Sequence, residues 1–314
     1  MTAVFAIAVA LVGFLVLAGS FGALVRRGNS RPAAEVLEPT THGFTPEAVG
    51  FWDADHGMLV GKLSCDECRN GVIATTADGG RSWRVVRETA APATQLSVVG
   101  AQSAWVVVGD ELMATADAGV TWEPIADNVV DAWMSSSTSG WAILGSGNAG
   151  LVRSTDGGAS WVEVQNPCNG ETPDLQAIAF PEQEQGWVLC VAEAGAGQQR
   201  KHIYATTDAG SQWSETDEGI GSSGYADDIW FNRFGEGWLL ESIRGTPYST
   251  DDGGASWTPV AGIASPDISV LYSVSFVDAT TGYGLLYSGQ ATLITTNDGG
   301  TTWSTVLKWV DPRA

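Results

Sequence analysis

An eight-residue pattern, Ser/Thr-x-Asp-x-Gly-x-x-Trp, occurs six times in this chain of 314 residues and constrains its fold more than any other feature. Consecutive copies lie 39 to 52 residues apart, a spacing typical of one four-stranded blade of a β-propeller. The aspartates and tryptophans of the six copies are Asp78 and Trp83, Asp117 and Trp122, Asp156 and Trp161, Asp208 and Trp213, Asp252 and Trp257, and Asp298 and Trp303. The pattern therefore predicts a repeat protein.

Each copy has the chemistry of a hairpin connection. The aspartate can accept hydrogen bonds from backbone N–H groups of its own turn, and the glycine allows a positive φ without a Cβ clash. The tryptophan then begins the next strand and provides a large apolar ring for packing between layers. We therefore interpret the repeated octapeptide as a structural element.

A second signal, a glycine followed by an aromatic residue, precedes most copies of the octapeptide. The pairs are Gly140-Trp141, Gly186-Trp187, Gly237-Trp238 and Gly282-Tyr283, and the corresponding positions of the first two units hold Gly57-Met58 and Ala104-Trp105. A short apolar run and a polar turn come before each pair. We therefore predict that each unit contains, in chain order, strand A, an A–B turn, strand B, a B–C loop, strand C, the octapeptide and strand D. The predicted fold is an all-β, six-bladed propeller, with seven blades as the alternative.

The octapeptide is similar to the Asp-box, also called the bacterial neuraminidase repeat. The tandem unit, IAFPEQEQGWVLC followed by IYATTDAGSQW, resembles propellers of the photosystem II assembly and stability factors and of related bacterial proteins, over residues 45–309. For photosynthetic members the resemblance implies an assembly factor that binds a reaction-centre protein through a basic patch. The sequence shows no basic patch here, so we do not extend that role to this chain.

A more distant resemblance to sialidases provides the alternative interpretation, a glycoside hydrolase. It implies three arginines that bind a substrate carboxylate, a Tyr–Glu nucleophile pair and an Asp acid/base. The Arg-Ile-Pro motif of that family is absent, and the three histidines, His42, His56 and His202, are scattered. We therefore predict no catalytic residue, no cofactor and no metal site, and we favour a non-catalytic protein.

The N-terminal region predicts a membrane anchor. Residues 3–25 carry no charge and are long enough to cross a hydrocarbon core, and Arg26, Arg27 and Arg31 follow them. We predict a transmembrane or signal-anchor segment at 1–27, a linker at 28–45 and a propeller at 46–314. The position of the arginines favours a cytoplasmic propeller, whereas the four cysteines favour an exported one. We expect a single-pass protein of the cell membrane with an extracytoplasmic propeller.

The cysteines fall into two pairs. Cys65 and Cys68 lie in the B–C loop of blade 1, Cys168 precedes blade 4, and Cys190 ends strand B of that blade. In an oxidising compartment their even number predicts the disulfides Cys65–Cys68 and Cys168–Cys190. Zinc binding is the weaker alternative, because the pairs belong to blades on opposite sides of the ring.

Charge and loop length indicate the kind of partner and its place. The net charge of −21 disfavours nucleic acid and favours a cationic or neutral partner. The long, irregular segments are B–C and D–A loops, which share the face opposite the A–B turns and Asp-boxes. Candidate binding residues there are Arg69, Arg200, Lys201, Tyr225, Asp227, Asp228 and Arg244. The sequence thus predicts a membrane-tethered scaffold that binds an unidentified protein or extracellular polymer through this face.

Overall fold

The computed structural model describes residues 43–63, 70–145, 150–168, 172–216, 220–242, 246–260 and 270–309. The predicted membrane segment, the pair Cys65 and Cys68, and the candidate residues Arg69 and Arg244 lie outside the described residues. Within the described ranges, no helix has the length and apolar character of a membrane span.

The described residues form six antiparallel sheets of four strands each, and the strands of a sheet follow one another in the chain. Blade 1 contains β1 (Phe44–Phe51), β2 (Gly57–Leu63), β3 (Gly71–Thr76) and β4 (Arg84–Thr89); blade 2 contains β5 (Ala93–Val99), β6 (Ser103–Val108), β7 (Glu111–Thr115) and β8 (Glu123–Ala126). Blade 3 contains β9 (Val129–Met134), β10 (Gly140–Leu144), β11 (Gly150–Ser154) and β12 (Val162–Val164); blade 4 contains β13 (Asp174–Ala179), β14 (Gly186–Val191), β15 (Lys201–Thr206) and β16 (Ser214–Glu215). Blade 5 contains β17 (Tyr225–Phe231), β18 (Gly237–Ser242), β19 (Tyr248–Thr250) and β20 (Thr258–Pro259); blade 6 contains β21 (Val270–Phe276), β22 (Gly282–Tyr287), β23 (Ala291–Thr296) and β24 (Ser304–Lys308). The six-bladed propeller is confirmed.

The Asp-box is a dense hydrogen-bond network, as blade 3 illustrates. Ser154 Oγ–H donates to Asp156 Oδ1 over 2.8 Å, and Gly158 N–H donates to Ser154 Oγ over 2.8 Å. Both the backbone N–H and the hydroxyl of Ser160 donate to the Asp156 carboxylate, over 2.9 and 2.6 Å. These bonds, first those from Ser160 and then that from Ser154, lower the pKa of Asp156 to about 2. The carboxylate thus fixes a turn in which Gly157 and Gly158 have φ of 76° and 94°.

Each Asp-box is also bonded to the A–B turn of its own blade. In blade 3, Gly157 N–H donates to the carbonyl of Thr138 over 2.7 Å, and each of the other five blades has an equivalent backbone bond. The A–B turns and the boxes therefore share one face of the propeller, which we call the box face. The B–C and D–A loops lie at the other ends of the strands, on the loop face.

Aromatic side chains join neighbouring blades. Trp187 of blade 4 stacks on Phe231 of blade 5, with ring centroids 4.1 Å apart, and the box tryptophan Trp257 meets the same Phe231 edge-on at 5.8 Å. The same triad recurs at three more interfaces, as Trp141–Phe180–Trp213, Trp238–Phe276–Trp303 and Tyr283–Phe51–Trp83. The second residue of the Gly-aromatic pair and the box tryptophan therefore pack against one phenylalanine, the first on its face and the second edge-on, and in blades 5 and 6 the two outer rings, Trp238 and Trp303, also meet at 5.8 Å.

The last of these triads closes the ring between blade 6 and blade 1. Since each sheet consists of four consecutive strands, side chains rather than an exchanged strand make this closure. Ser275 Oγ accepts a hydrogen bond from Phe51 N–H over 2.9 Å, and the Tyr272 hydroxyl donates to the carbonyl of Pro46 over 3.1 Å. The first and last blades are thus held by contacts of the kind that join the other blades.

In four blades, the phenylalanine beside the glycine that begins strand B explains that glycine. A Cβ on Gly186 would lie 2.0 Å from Cδ1 of Phe180, which no packed side chain can accept. Blade 2 has Ala104 at this position, and there Val98 replaces the phenylalanine. The smaller valine leaves room for the extra methyl group. In blade 3, where Met134 lies opposite Gly140, a Cβ on this glycine would instead lie 2.3 Å from the ring of Trp105.

The predicted disulfide Cys168–Cys190 is confirmed, with a sequence separation of 22 residues. It ties the segment that precedes blade 4 to the end of β14. Closing a loop of this length stabilises a fold by about 3 kcal/mol in the chain-entropy model.

We expect Gly186→Ala to lower the free energy of unfolding by about 1–3 kcal/mol, because its methyl group would overlap the Phe180 ring. Chemical denaturation monitored by tryptophan fluorescence measures the change. Gly195→Ala is the matched control, since nothing lies within 4 Å of the Cβ it adds. Equal destabilisation by both changes would contradict the packing explanation.

We expect Asp156→Ala to lower the melting temperature by a few degrees, because Ser154, Ser160 and the backbone of the turn lose their common acceptor. Differential scanning calorimetry would show the change. Replacement of the exposed Val162 by Thr, on the next strand, serves as the control. Melting temperatures that stay unchanged in several such box variants would show that the network contributes nothing to stability.

Candidate functional site

A cavity of about 810 Å³ runs along the propeller axis. Residues of the innermost strands β1, β5, β9, β17 and β21 line it, together with Pro181 after β13. Its volume lies within the range of small-ligand and peptide pockets. We refer to it as the axial cavity.

Every innermost strand has a β-bulge near its start, where two of its residues oppose one residue of the next strand. The extra residues are Glu47, Thr94, Val130, Gln176, Asp227 and Tyr272. A bulge interrupts the alternation of side chains along a strand and re-aims them. In blade 5 the bulged residue Asp227 and the residue after it, Asp228, both line the axial cavity.

Three aspartates, Asp131, Asp227 and Asp228, lie in the half of the axial cavity nearest the D–A loops, which we call its acidic end. Asp131 is 5% exposed, and its two carboxylate oxygens accept hydrogen bonds from the N–H groups of Ala132 and Ile178, over 2.8 and 2.9 Å. Because Ile178 belongs to blade 4, Asp131 links two blades.

The other two aspartates have fewer partners. The carboxylate of Asp228 accepts from Ile229 N–H over 2.8 Å, and that of Asp227 accepts from the Ser242 hydroxyl over 2.9 Å. Both residues lie on β17, beside the bulge. Neither is paired with a cation among the ion pairs of the described residues.

Burial dominates the electrostatics of the acidic end. It raises the pKa of Asp131 to about 6, against the opposing effect of the two backbone hydrogen bonds. Burial also raises the pKa of Asp228 well above its usual range, and the nearby charge of Asp131 raises it further. The pKa of Asp227 is raised by burial as well, although the bond from Ser242 opposes the shift. A positively charged group at this end would favour the ionised carboxylates.

The opposite end of the axial cavity opens on the box face. There the A–B turn of blade 5 carries Phe234, which is 69% exposed, with the Arg233 guanidinium 4.8 Å from the centre of its ring. Arg233 is the one lysine or arginine among the described residues that line the cavity. The described lining therefore lacks the three arginines that the sialidase resemblance implies.

Three of the predicted binding residues lie together beside the junction of blades 4 and 5. Arg200 is exposed at the end of the B–C loop. The Tyr225 hydroxyl accepts a hydrogen bond from Gly197 N–H over 3.2 Å, which ties this loop to the start of β17. Lys201 is buried: its ammonium is paired with the equally buried Glu241, so it is not exposed on the loop face.

Sequence reasoning missed Asp131. This residue and Asp228 hold the same place after the bulge in their strands, opposite Ile143 and Leu240 respectively. Alignment of the six innermost strands in phase with the Asp-boxes would have paired them. Within the described ranges, no three His, Cys, Asp or Glu residues are grouped so as to hold a metal ion.

Comparisons with known proteins agree with this architecture. A family model, Sortilin-Vps10 (sortilin, neurotensin receptor 3), matches residues 110–233, which is less than half of the chain. A search of curated proteins finds no match.

Solved structures with the same fold include YCF48 bound to D1 peptide, which is 18% identical with a TM-score of 0.54, over 86% of this chain and 84% of that one. YCF48 from Cyanidioschyzon merolae is 16% identical with a TM-score of 0.54, over 87% and 88% of the two chains. An ancestral GH74 enzyme is 13% identical with a TM-score of 0.54, over 83% of this chain and 40% of the enzyme. The predicted resemblance to propellers of the photosystem II assembly-factor type is confirmed, as a likeness of fold.

We expect the free energy of unfolding to fall as the pH rises from about 4 to about 6, in part through Asp131. Its folded-state pKa of about 6 exceeds the ordinary value of 3.8, so its stabilising contribution is full below pH 3.8 and is lost as the pH rises through 6. Asp131→Asn should reduce this slope, measured by urea denaturation at a series of pH values. Asp278→Asn, in an exposed turn where hydrogen bonds from Thr281 and Thr280 lower the pKa of Asp278, should leave this part of the profile unchanged. An identical slope in wild type and Asp131→Asn would contradict the assignment.

Proposed function

We propose that this protein is a non-catalytic, membrane-tethered propeller that binds a cationic segment of a partner protein on its loop face, at the acidic end of the axial cavity. One observation carries the proposal: Asp131, Asp227 and Asp228 lie at one end of a cavity whose described lining contains a single cation, Arg233, at the other end.

The physical argument rests on desolvation. Burial raises the pKa of all three carboxyl groups, because the protein has removed water from them without supplying a counter-charge. A lysine or arginine side chain that enters the cavity would supply that charge, and the pair would form where water screens it little. The net charge of −21 would also attract a basic partner over longer distances.

One further observation supports a binding role. The structure of YCF48 bound to D1 peptide has the same fold, so a propeller of this type can carry a peptide site. Asp131 also has a structural role, because its bond to Ile178 N–H joins blades 3 and 4 as the bond from Val49 N–H to Ser273 Oγ joins blades 1 and 6.

A glycoside hydrolase is the second candidate. Adjacent carboxyl groups whose pKa values are raised to different extents are the usual acid/base pair of such enzymes, and the GH74 enzyme has the same fold. The lack of an arginine triad in the described lining favours binding over sialidase-type turnover. Incubation with a glycan panel and a fluorogenic sialoside distinguishes the two, since any turnover would favour the enzyme.

The membrane anchor and the extracytoplasmic location are part of the proposal. The uncharged segment 3–25 supports the anchor, and the disulfide Cys168–Cys190 supports an oxidising compartment. A reporter fused to the C-terminus of the full chain tests the location. Activity of a reporter that works only in the cytoplasm would overturn it.

We expect the double variant Asp227→Asn/Asp228→Asn to bind a lysine- and arginine-rich peptide about tenfold more weakly than wild type, in isothermal titration calorimetry at low salt. Asp278→Asn is the matched control, because it removes a carboxylate from the opposite end of the same cavity. Crosslinking and pull-down from native membranes with the same variants would identify the partner. Equal affinity of wild type and the double variant would contradict the assigned site.

A further inference from the structure

A second cavity, of about 470 Å³, lies on the box face between blades 5 and 6. The A–B turn and Asp-box of blade 5 form one side of it, and Ala279, Asp298 and Gly299 of blade 6 form the other. We call it the blade 5/6 groove. It adjoins the axial cavity, with which it shares Trp230, Asn232, Phe276 and Ala279. The acidic end, to which we assign the cationic partner, lies towards the opposite face.

The groove has an aromatic floor made of Trp230, Trp238 and Phe276. The ring of Phe276 lies 5.1 Å from that of Trp230 and 5.6 Å from that of Trp238. Trp230 and Phe276 are only partly buried, so this floor can contact a ligand. Flat aromatic surfaces of this kind pack well against the C–H faces of another ring.

One polar atom of the floor lacks a partner. At the blade 4/5 interface, Trp187 Nε1–H donates to the carbonyl of Gly253 over 2.9 Å. Trp238 holds the same position in blade 5 and is only 4% exposed, yet its Nε1–H donates to no acceptor in any hydrogen bond of the described residues. Among the described residues, the buried side-chain atoms without a partner are Trp257 Nε1, Trp309 Nε1 and Glu241 Oε2. Trp238 Nε1 is not one of them, so it keeps access to solvent, and the residue lines the groove.

Carboxylates that can accept hydrogen bonds lie beside the aromatic floor. Glu236 accepts from Asn232 Nδ2 over 2.6 Å through Oε2, which leaves its Oε1 for a ligand. Asp251 is exposed at the rim. Asp298, by contrast, is occupied within its own box by the hydroxyls of Thr296 and Thr302. The groove therefore combines an aromatic floor, one open donor and two carboxylates.

From this combination we infer that the blade 5/6 groove binds a neutral saccharide unit of a polysaccharide. The ring C–H face of the sugar would pack on Trp230, one hydroxyl would accept from Trp238 Nε1–H, and others would donate to Glu236 and Asp251. The carboxylates disfavour anionic sugars by repulsion, and the volume of about 470 Å³ is that of a small-ligand pocket.

Affinity electrophoresis of the full chain in gels that contain a soluble β-1,4-glucan, β-1,3-glucan or mannan tests the inference, with polygalacturonate as the anionic comparison. We expect at least one neutral polysaccharide, and not polygalacturonate, to retard the wild-type protein. Retardation by none of the neutral polysaccharides, or equal retardation by polygalacturonate, would overturn the inference.

Variants then locate the site. Trp230→Ala and the exposed-rim variant Asp251→Ala should each weaken binding about tenfold, and Trp238→Phe, which keeps a ring but removes the N–H, should weaken it several-fold. Trp133→Ala is the matched control. Trp133 has the same place in β9 as Trp230 has in β17, and it lines the axial cavity but not the groove. Because Asp251 is exposed, its variant tests the site even if Trp230→Ala fails to fold.

Two results would show that another ligand or site is involved. Full binding of the polysaccharide by Asp251→Ala and Trp230→Ala would overturn the assignment to this groove. Loss of cationic-peptide binding in Asp251→Ala, without any polysaccharide binding in wild type, would assign the groove to a protein partner instead. The peptide measurements on Asp227→Asn/Asp228→Asn remain separate, so the failure of one proposal does not imply the failure of the other.

Discussion

Four of the six blade interfaces depend on the stacking of an aromatic side chain from strand B of one blade on a phenylalanine from strand A of the next. In the triad of Trp187, Phe231 and Trp257, the Asp-box supplies the third ring, which meets the phenylalanine edge-on. A four-stranded sheet cannot bury both of its faces alone, so each blade is stable only between neighbours. The triad of Tyr283, Phe51 and Trp83 makes the same contact at the closure, and the ring needs no exchanged strand.

Packing between blades determines which groups line the central axis of the ring. Because the apolar side chains are used between neighbouring sheets, the innermost strands present edges and bulges, rather than a hydrophobic core, to the centre of the ring. Asp227, the bulged residue of β17, and Asp228 both face this space. Asp131 also lines it and accepts a hydrogen bond from Ile178 N–H of blade 4. An acidic cavity can thus arise at the axis without disturbing the packing that stabilises the fold.

The two faces of the ring offer different chemistry. The loop face leads to one buried carboxyl group, that of Asp131, and to the partly buried Asp227 and Asp228. Neither Asp227 nor Asp228 has a counter-charge among the ion pairs of the described residues, which suits a cationic group. On the box face, every blade repeats the backbone bond between its Asp-box and its A–B turn, but the side chains differ from blade to blade. The A–B turn of blade 5 carries Arg233 and the exposed Phe234, beside an aromatic groove. Repetition fixes the scaffold, and departures from the repeat, such as Asp228 and Trp230, create the places where ligands can bind.

The sequence by itself determined the number of blades and the strand order, because each repeat unit contains its own turn residues and the units follow at a regular spacing. It also determined the Cys168–Cys190 disulfide, through the number and position of the cysteines. It did not reveal Asp131, the buried partner of Lys201 or the open N–H of Trp238. Those features depend on residues up to 47 positions apart, as with Asp131 and Ile178, which meet only when neighbouring blades pack. Burial, the resulting shifts in pKa and the shape of both cavities are properties of the closed ring, so only the tertiary structure decided which cavities we propose as binding sites.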